Sequence, residues 1–275
     1  VSLFNASRNR AKILVVQNSV HAPGGNFTRG LAARGARLAV VSPVKDDDLP
    51  STADAFDGLV VLGGPQHAFD DQAGPYFGRL IQLMRHFDSQ EKPVAGICLG
   101  SQLLARAHGG RPFPLNTLEF GFVQHRLTLE GAQDPLLRGL ELPALMEFHE
   151  DTFSLPLEAT LLIEGDGCRN QCFRVGHASY GFQPHLEVEG KTARNWIEMF
   201  VKGEIETFVK YRQNFDEPYM KRLLDNLDHL IAEAARYCDR VAENWLALTR
   251  RKHIFRLTAR QRPLSDRQQG NSGFP

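Results

Sequence analysis

The sequence predicts an α/β fold, a doubly wound and mostly parallel sheet with helices on both faces, carrying a helical C-terminal extension. Three observations point there. Continuous apolar runs alternate with stretches of helical spacing through residues 13–108. Glycines mark the junctions between them. Beyond Pro218, apolar residues recur at three-four spacing with no strand pattern between them.

Residues 13–17, Ile-Leu-Val-Val-Gln, read as a strand buried on both faces. A helix over 27–34 ends at Gly35, and 37–42 forms a second strand. The third strand, 57–62, runs into Gly63-Gly64-Pro65. Phe77, Leu80, Ile81, Met84 and Phe87 space a helix over 75–88. Residues 94–97 are the fourth strand, and 99–108 the helix after it. From 111 to 189 the pattern breaks into strand-like runs at 123–129, 160–164, 172–175 and 180–183, read as strands and loops of the same domain. Residues 194–211 are helical, with Gly203 a weak point.

Pro218 suits a helix start, and Met220, Leu223, Leu224, Leu227, Ile231, Ala234, Cys238, Val241 and Trp245 follow as one apolar stripe. That stripe must be covered, by the body of the protein or by a second copy in a homodimer. Arg250, Arg251, Lys252, Arg256, Arg260 and Arg262 read as a solvated basic end, and 263–275 as a disordered tail.

Composition narrows the class. In 275 residues, 42% are apolar, enough for a sizeable core, and Lys+Arg and Asp+Glu both number 32. Nothing in that balance points to nucleic acid or an anionic membrane. No apolar run approaches the roughly 18 residues of a membrane span, and residues 1–10 lack the apolar core of a signal peptide. Four cysteines at this length do not make a disulfide framework. The expected compartment is the cytoplasm.

The most informative segment is Gly96-Ile97-Cys98-Leu99-Gly100. Flanking glycines permit the cramped strand-to-helix turn that lifts a nucleophile clear of its neighbours. A helix N-terminus there favours thiolate over thiol. Cys98 is therefore a candidate nucleophile, with a small buried filler as the competing reading. Further on, Gln183-Pro184-His185-Leu186-Glu187 places His185 and Glu187 two apart, on one side of an extended backbone. A thiol needs such a base, and the base needs such an orienter.

Gly63-Gly64-Pro65, Gly96 to Gln102, and Gly181 to Glu187 come in the order and rough spacing of class I (triad-type) glutamine amidotransferases. The resemblance covers about 11–202 and is nearest to the stand-alone, GMP-synthase-like members. It implies a flavodoxin-like domain over 1–202, and the helical extension at 203–262 falls outside it. It also implies roles. Cys98 would attack the γ-carboxamide carbon of glutamine, giving a γ-glutamyl thioester and ammonia. His185 would serve as base and then acid, and Glu187 would orient it. Backbone N–H groups of Gly64 and Leu99 would form the oxyanion hole, and the Gln102 amide would lie near the substrate. No metal and no cofactor are implied.

The sequence departs from the family's Gln-Phe-His-Pro-Glu, because proline precedes His185 and leucine follows it. His67 reads as a loop-surface residue, and His149 and Asp151 as hydrogen-bonding support beside the site. Cys168 and Cys172 lack a second pair at zinc-like spacing. Asp46-Asp47-Asp48 reads as a solvated loop, and Gly24-Gly25 lacks the remainder of a dinucleotide fingerprint. The chain also has no phosphate-binding loop with which to activate an acceptor. Three readings stay open. Glutamine could be cleaved with ammonia passed to a separate synthetase subunit. The same relay could cut γ-glutamyl peptides or conjugates. The domain could also be a catalytically weak binding or regulatory module.

Overall fold

The computed structural model describes residues 10–45 and 47–260. Asp46 and the tail expected at 263–275 lie outside them, as do the side chains of the basic stretch from Arg250 onward.

Strands β1 (Lys12–Val16), β2 (Arg37–Val41), β3 (Gly58–Val61) and β4 (Val94–Ile97) are joined by α1 (Gly25–Ala33), α2 (Phe77–Ser89) and short loops. Helix α3 (Leu99–Ala107) follows β4 directly. Strand β10 (Ser179–Phe182) lies parallel to β4 on its far side. The sheet then continues antiparallel through β9 (Asn170–Val175), β8 (Thr160–Glu164) and the short β6 (Arg126–Leu127). The full order is β2-β1-β3-β4-β10-β9-β8-β6, which is the flavodoxin-like, mostly parallel arrangement expected.

Side-chain alternation explains the layers. Ile13, Val15, Val60 and Leu62 face one apolar cluster with Phe27 and Leu31 of α1. Their neighbours Leu14, Val16, Leu59 and Val61 face the other, against Phe77, Leu80 and Met84 of α2 and Leu103 and Leu104 of α3. A sheet buried on both faces needs continuous apolar runs, which is why the central strands were legible.

The C-terminal stripe is covered by the chain itself. Ala234, Cys238, Val241 and Trp245 of α7 (Leu227–Arg260) are fully buried in the cluster that holds α1. Phe27 meets Trp245 edge-on with ring centroids 5.8 Å apart. Two details differ from expectation. The stripe is carried by two helices, α6 (Glu217–Asp225) and α7, because Asn226 leaves helical geometry and caps α6 with its amide on Arg222 O. Leu224 is 46% exposed.

The region after α3 departs furthest. The strand expected at 123–129 is instead the end of β5 (Pro112–Val123), the two-residue β6 and the start of α4 (Leu129–Gln133). Strand β5 pairs antiparallel with β7 (Leu145–Phe153) in a separate two-stranded sheet. Prolines and polar residues in β5, and charges in β7, hid both. The helix expected at 194–211 is α5 (Gly190–Lys202), stopped where Gly203 turns left-handed at φ 71, and then a 3-10 stretch, Glu206–Asn214. A third apolar cluster, including Phe120, Met146, Trp196 and Phe200, joins this small sheet to α5 and α6.

Candidate active site

The site stands where three neighbouring parallel strands, β3, β4 and β10, end together. Gly96 is in register with both Val61 and Gly181, and Ile97 with Phe182. Residues just past each strand end are therefore adjacent in space, though far apart in sequence. Past β3 comes Gly63-Gly64-Pro65, past β4 comes Cys98, and past β10 comes His185. Ligand sites of open α/β sheets form beyond such carboxyl ends.

Cys98 has φ 49 and ψ −111, a strained conformation for a residue with a side chain. It is the sharp turn the flanking glycines were read to allow. A Cβ on Gly100 would lie 2.0 Å from the Val61 carbonyl, and one on Gly96 would lie 2.4 Å from the Gly100 carbonyl. The turn is pinned by the Cys98 N–H, which donates to Phe182 O at 2.7 Å.

His185 is buried beside Cys98: a Cβ built on Gly63 would lie 2.8 Å from His185 Cε1 and 3.5 Å from Cys98 Cβ. Its Nδ1 lies 2.8 Å from Glu187 Oε1. Burial works against a charged imidazole here, but the Glu187 carboxylate and the Cys98 sulfur overcome it and push the His185 pKa up to about 10. Pro184 does no harm. The N–H of Gln183 goes to Gln171 O and that of His185 to Met146 O, both at 2.8 Å, and the proline falls between these two donors.

A cavity of about 220 Å³ opens over Cys98 and is lined by Gly64, Leu99, Gln102 and His185. Gly64 and Leu99 are adjacent there, since a Cβ on Gly64 would come within 2.9 Å of Leu99 Cδ2. Leu99 opens α3, so its N–H has no carbonyl one turn back. Gln102 lines the cavity, but its Nε2 is held by the Asp151 carbonyl at 3.1 Å and Gln183 Oε1 at 3.2 Å. Its amide braces the wall.

The sequence missed several members. His67, read as surface, lines the cavity and sets Nδ1 2.7 Å from Asp151 Oδ2. Asp151 is buried, its Oδ1 has no hydrogen-bond partner, and burial raises its pKa despite His67. Trp196 packs its ring across His185 with centroids 4.7 Å apart. Asn18 holds the carbonyl of Leu62, just before the two glycines, with Nδ2 at 2.6 Å. His67, Trp196 and Asn18 have no local pattern that announces them, whereas Asp151 takes the hydrogen-bonding place expected of it, facing His67 and accepting from Gln102 at its carbonyl. Gly24-Gly25, set aside as a broken fingerprint, has a structural reason. Gly25 has φ +42, and a Cβ there would sit 2.1 Å from the Glu187 carbonyl.

Residues 18–203 match the family described as glutamine amidotransferase class-I. The chain belongs to the class I glutamine amidotransferases. It is 33% identical to the glutamine amidotransferase-like protein YfeJ of Salmonella typhimurium over 188 residues, covering 67% of this chain and 78% of that one. It is 30% identical to γ-glutamyl peptidase 3 of Arabidopsis thaliana over 143 residues, 49% of this chain and 55% of the relative. The crystal structure of a glutamine amido transferase from Methylobacillus flagellatus superimposes with a TM-score of 0.77 at 28% identity, covering 87% of this chain and 95% of that one. Among the described residues, no helix is long and apolar enough to cross a membrane.

Proposed function

We propose that this class I amidotransferase hydrolyses γ-glutamyl amide bonds through a thioester on Cys98. The observation that carries the proposal is the relay itself, a thiol on a strained elbow beside His185, whose Nδ1 lies 2.8 Å from Glu187 Oε1. Cys98 Sγ attacks the γ-carbonyl carbon while its proton rests on His185. Negative charge collects on the carbonyl oxygen, toward the backbone N–H groups of Gly64 and Leu99. His185 gives its proton to the departing nitrogen, the C–N bond breaks, and the thioester remains. Water, deprotonated by His185, then releases glutamate and the thiol.

The cavity lining mixes polar and apolar groups. Asp151, with one buried oxygen unpaired beside His67, supplies a counter-charge for the substrate's α-ammonium group. Next to the proton-donating His185 stands Trp196, packed with Phe148, which packs in turn with Phe208; all three line the cavity, as does Met199. That is the leaving-group side, and its apolar character favours an amine larger than ammonia. A γ-glutamyl peptide or conjugate thus fits better than glutamine, in line with the γ-glutamyl peptidase relative. Glutamine hydrolysis with ammonia passed to a synthetase subunit is the competing reading, and it needs a second chain.

A panel of glutamine and γ-glutamyl dipeptides with apolar second residues tests this. The expected result is a higher kcat/KM for the dipeptides. A preference for glutamine would return the reading to ammonia transfer, and no turnover of either would end it.

A further inference from the structure

Beside the cavity, which His149 helps to line, the β5/β7 pair carries a buried cluster that the Cys98 chemistry does not use. Glu119 and His149 are directly opposite in the ladder, and Glu147 is two residues before His149, hence on the same face. All three side chains are buried.

His149 Nε2 lies 3.0 Å from Glu119 Oε2 and 3.0 Å from Glu147 Oε2. Neither approach is a well-directed hydrogen bond, and both His149 Nε2 and Glu147 Oε2 are left without a hydrogen-bond partner. The separations suit another geometry. Two bonds of about 2.1 Å span about 3.0 Å between ligand atoms at a right angle and about 3.4 Å at the tetrahedral angle, so the trio needs to open by only a few tenths of an ångström to take a cation.

The three residues are also held by neighbours, and Glu119 Oε2, the oxygen facing His149, accepts from Gln171 Nε2 while keeping a second lone pair. His149 Nδ1 is 2.8 Å from the Asp151 carbonyl, which fixes a proton on Nδ1. Glu119 accepts from the Cys168 N–H and from Gln171 Nε2, each at 2.9 Å. Glu147 Oε1 lies 2.7 Å from His125 Nε2. A supporting ring of this kind, turning each ligand inward, is what surrounds metal-bound histidine and carboxylate.

We infer that Glu119, Glu147 and His149 bind one divalent first-row transition cation of the zinc type. Two carboxylates and one imidazole form a borderline-hard donor set suited to such an ion. Its charge balances the two carboxylates, and binding expels the proton that His149 Nε2 otherwise holds between them. The cation ties β5 to β7. Through the Asp151 carbonyl, which His149 and Gln102 share, it also stiffens the wall of the cavity. It touches no reacting atom, so the inference stands or falls independently of the substrate reading.

The test uses the full chain, stripped with chelator and titrated with Zn²⁺ and, as a spectroscopic probe, Co²⁺. The expected results are one ion per chain by elemental analysis, a visible Co²⁺ absorption band, proton release on binding and a raised Tm. Glu147→Gln should weaken binding by roughly 10- to 100-fold or more. Absence of stoichiometric binding to the wild-type chain would overturn the inference and leave an imidazolium between two carboxylates. An unchanged Co²⁺ spectrum and affinity in Glu147→Gln would overturn it too, marking surface binding only. Should that variant not fold, the wild-type stoichiometry, band and proton release decide.

Discussion

The backbone N–H of Asn26 donates to the carbonyl of Glu187 at 2.8 Å, so the first turn of α1 grips the residue that orients His185. The approach is close enough that only glycine fits beside it. A Cβ at position 25 would lie 2.1 Å from that same carbonyl oxygen, and Gly25 has φ +42. Gly25→Ala must therefore move α1 or Glu187. The expected outcome is a fall in kcat of roughly 10²-fold, the cost of about 1 Å of misplacement, with KM little changed. Steady-state kinetics beside a thermal melt check it. A variant with wild-type kcat would mean that the contact does not aim the relay.

Cys98 should be the one thiol that reacts. Cys168, Cys172 and Cys238 are buried, and burial holds each of their pKa values above the usual thiol range. Cys98 alone faces the cavity. A glutamine-analogue electrophile such as diazo-oxo-norleucine should add one label per chain, mapped to Cys98 by mass spectrometry. Cys98→Ser should take no label and lose at least about 10³-fold in kcat, while its circular dichroism matches wild type. Labelling elsewhere at comparable rate would require another nucleophile.

The pKa of His185 gives a pH prediction with a definite sign. It is raised from the ordinary 6.5 to about 10 because Glu187 and Cys98 favour the imidazolium more than burial disfavours it. His185 therefore stabilises the fold fully below about pH 6.5, and this contribution is lost as pH rises through about 10. The alkaline limb of activity, where the leaving nitrogen loses its proton donor, should fall in the same region. Glu187→Gln removes the carboxylate charge and leaves burial less opposed. The limb should then move to lower pH, and kcat should drop by about 10²–10⁴-fold. The Tm gap between wild type and variant should be widest near pH 6.5 and narrow toward pH 10. An unmoved limb would show that Glu187 does not set the charge of His185.

The parts legible in the sequence were those whose physics is local. A strand buried on both faces must be continuously apolar, as Ile13 to Val16 and Leu59 to Val61 are. An elbow needs small neighbours, as Gly96 and Gly100 are. His185 and Glu187 do meet, with Nδ1 2.8 Å from Oε1, but through a turn past the end of β10 and not on the extended backbone expected. The order of three such motifs then identified the family. The illegible parts depend on tertiary partners. Strand β7 carries Glu147, His149 and Asp151 inward, against the rule that charges face water, because Glu119, His125 and His67 wait to pair with them. Asn18 and Trp196 each act on the site from residues distant in sequence. The break at Asn226 was hidden because the apolar stripe runs through it unbroken.

Asp151 offers the sharpest test of how the substrate is held. Its Oδ2 is taken by His67 at 2.7 Å, while Oδ1 is buried and unpaired. A charged acceptor buried without a donor is costly unless a ligand supplies one. A substrate α-ammonium would do so. Asp151→Asn keeps the shape and removes the charge. It should raise KM for γ-glutamyl substrates by roughly 10- to 100-fold, since a hydrogen bond to a charged group contributes about 1.5–3 kcal/mol, and kcat should change little. A substrate analogue lacking the α-amino group separates recognition from mere support. Wild type should discriminate strongly against that analogue, and Asp151→Asn should treat the two alike. If the variant lost kcat and kept its discrimination, Asp151 would be bracing the wall through His67 and Gln102, and the α-amino group would be read elsewhere in the cavity.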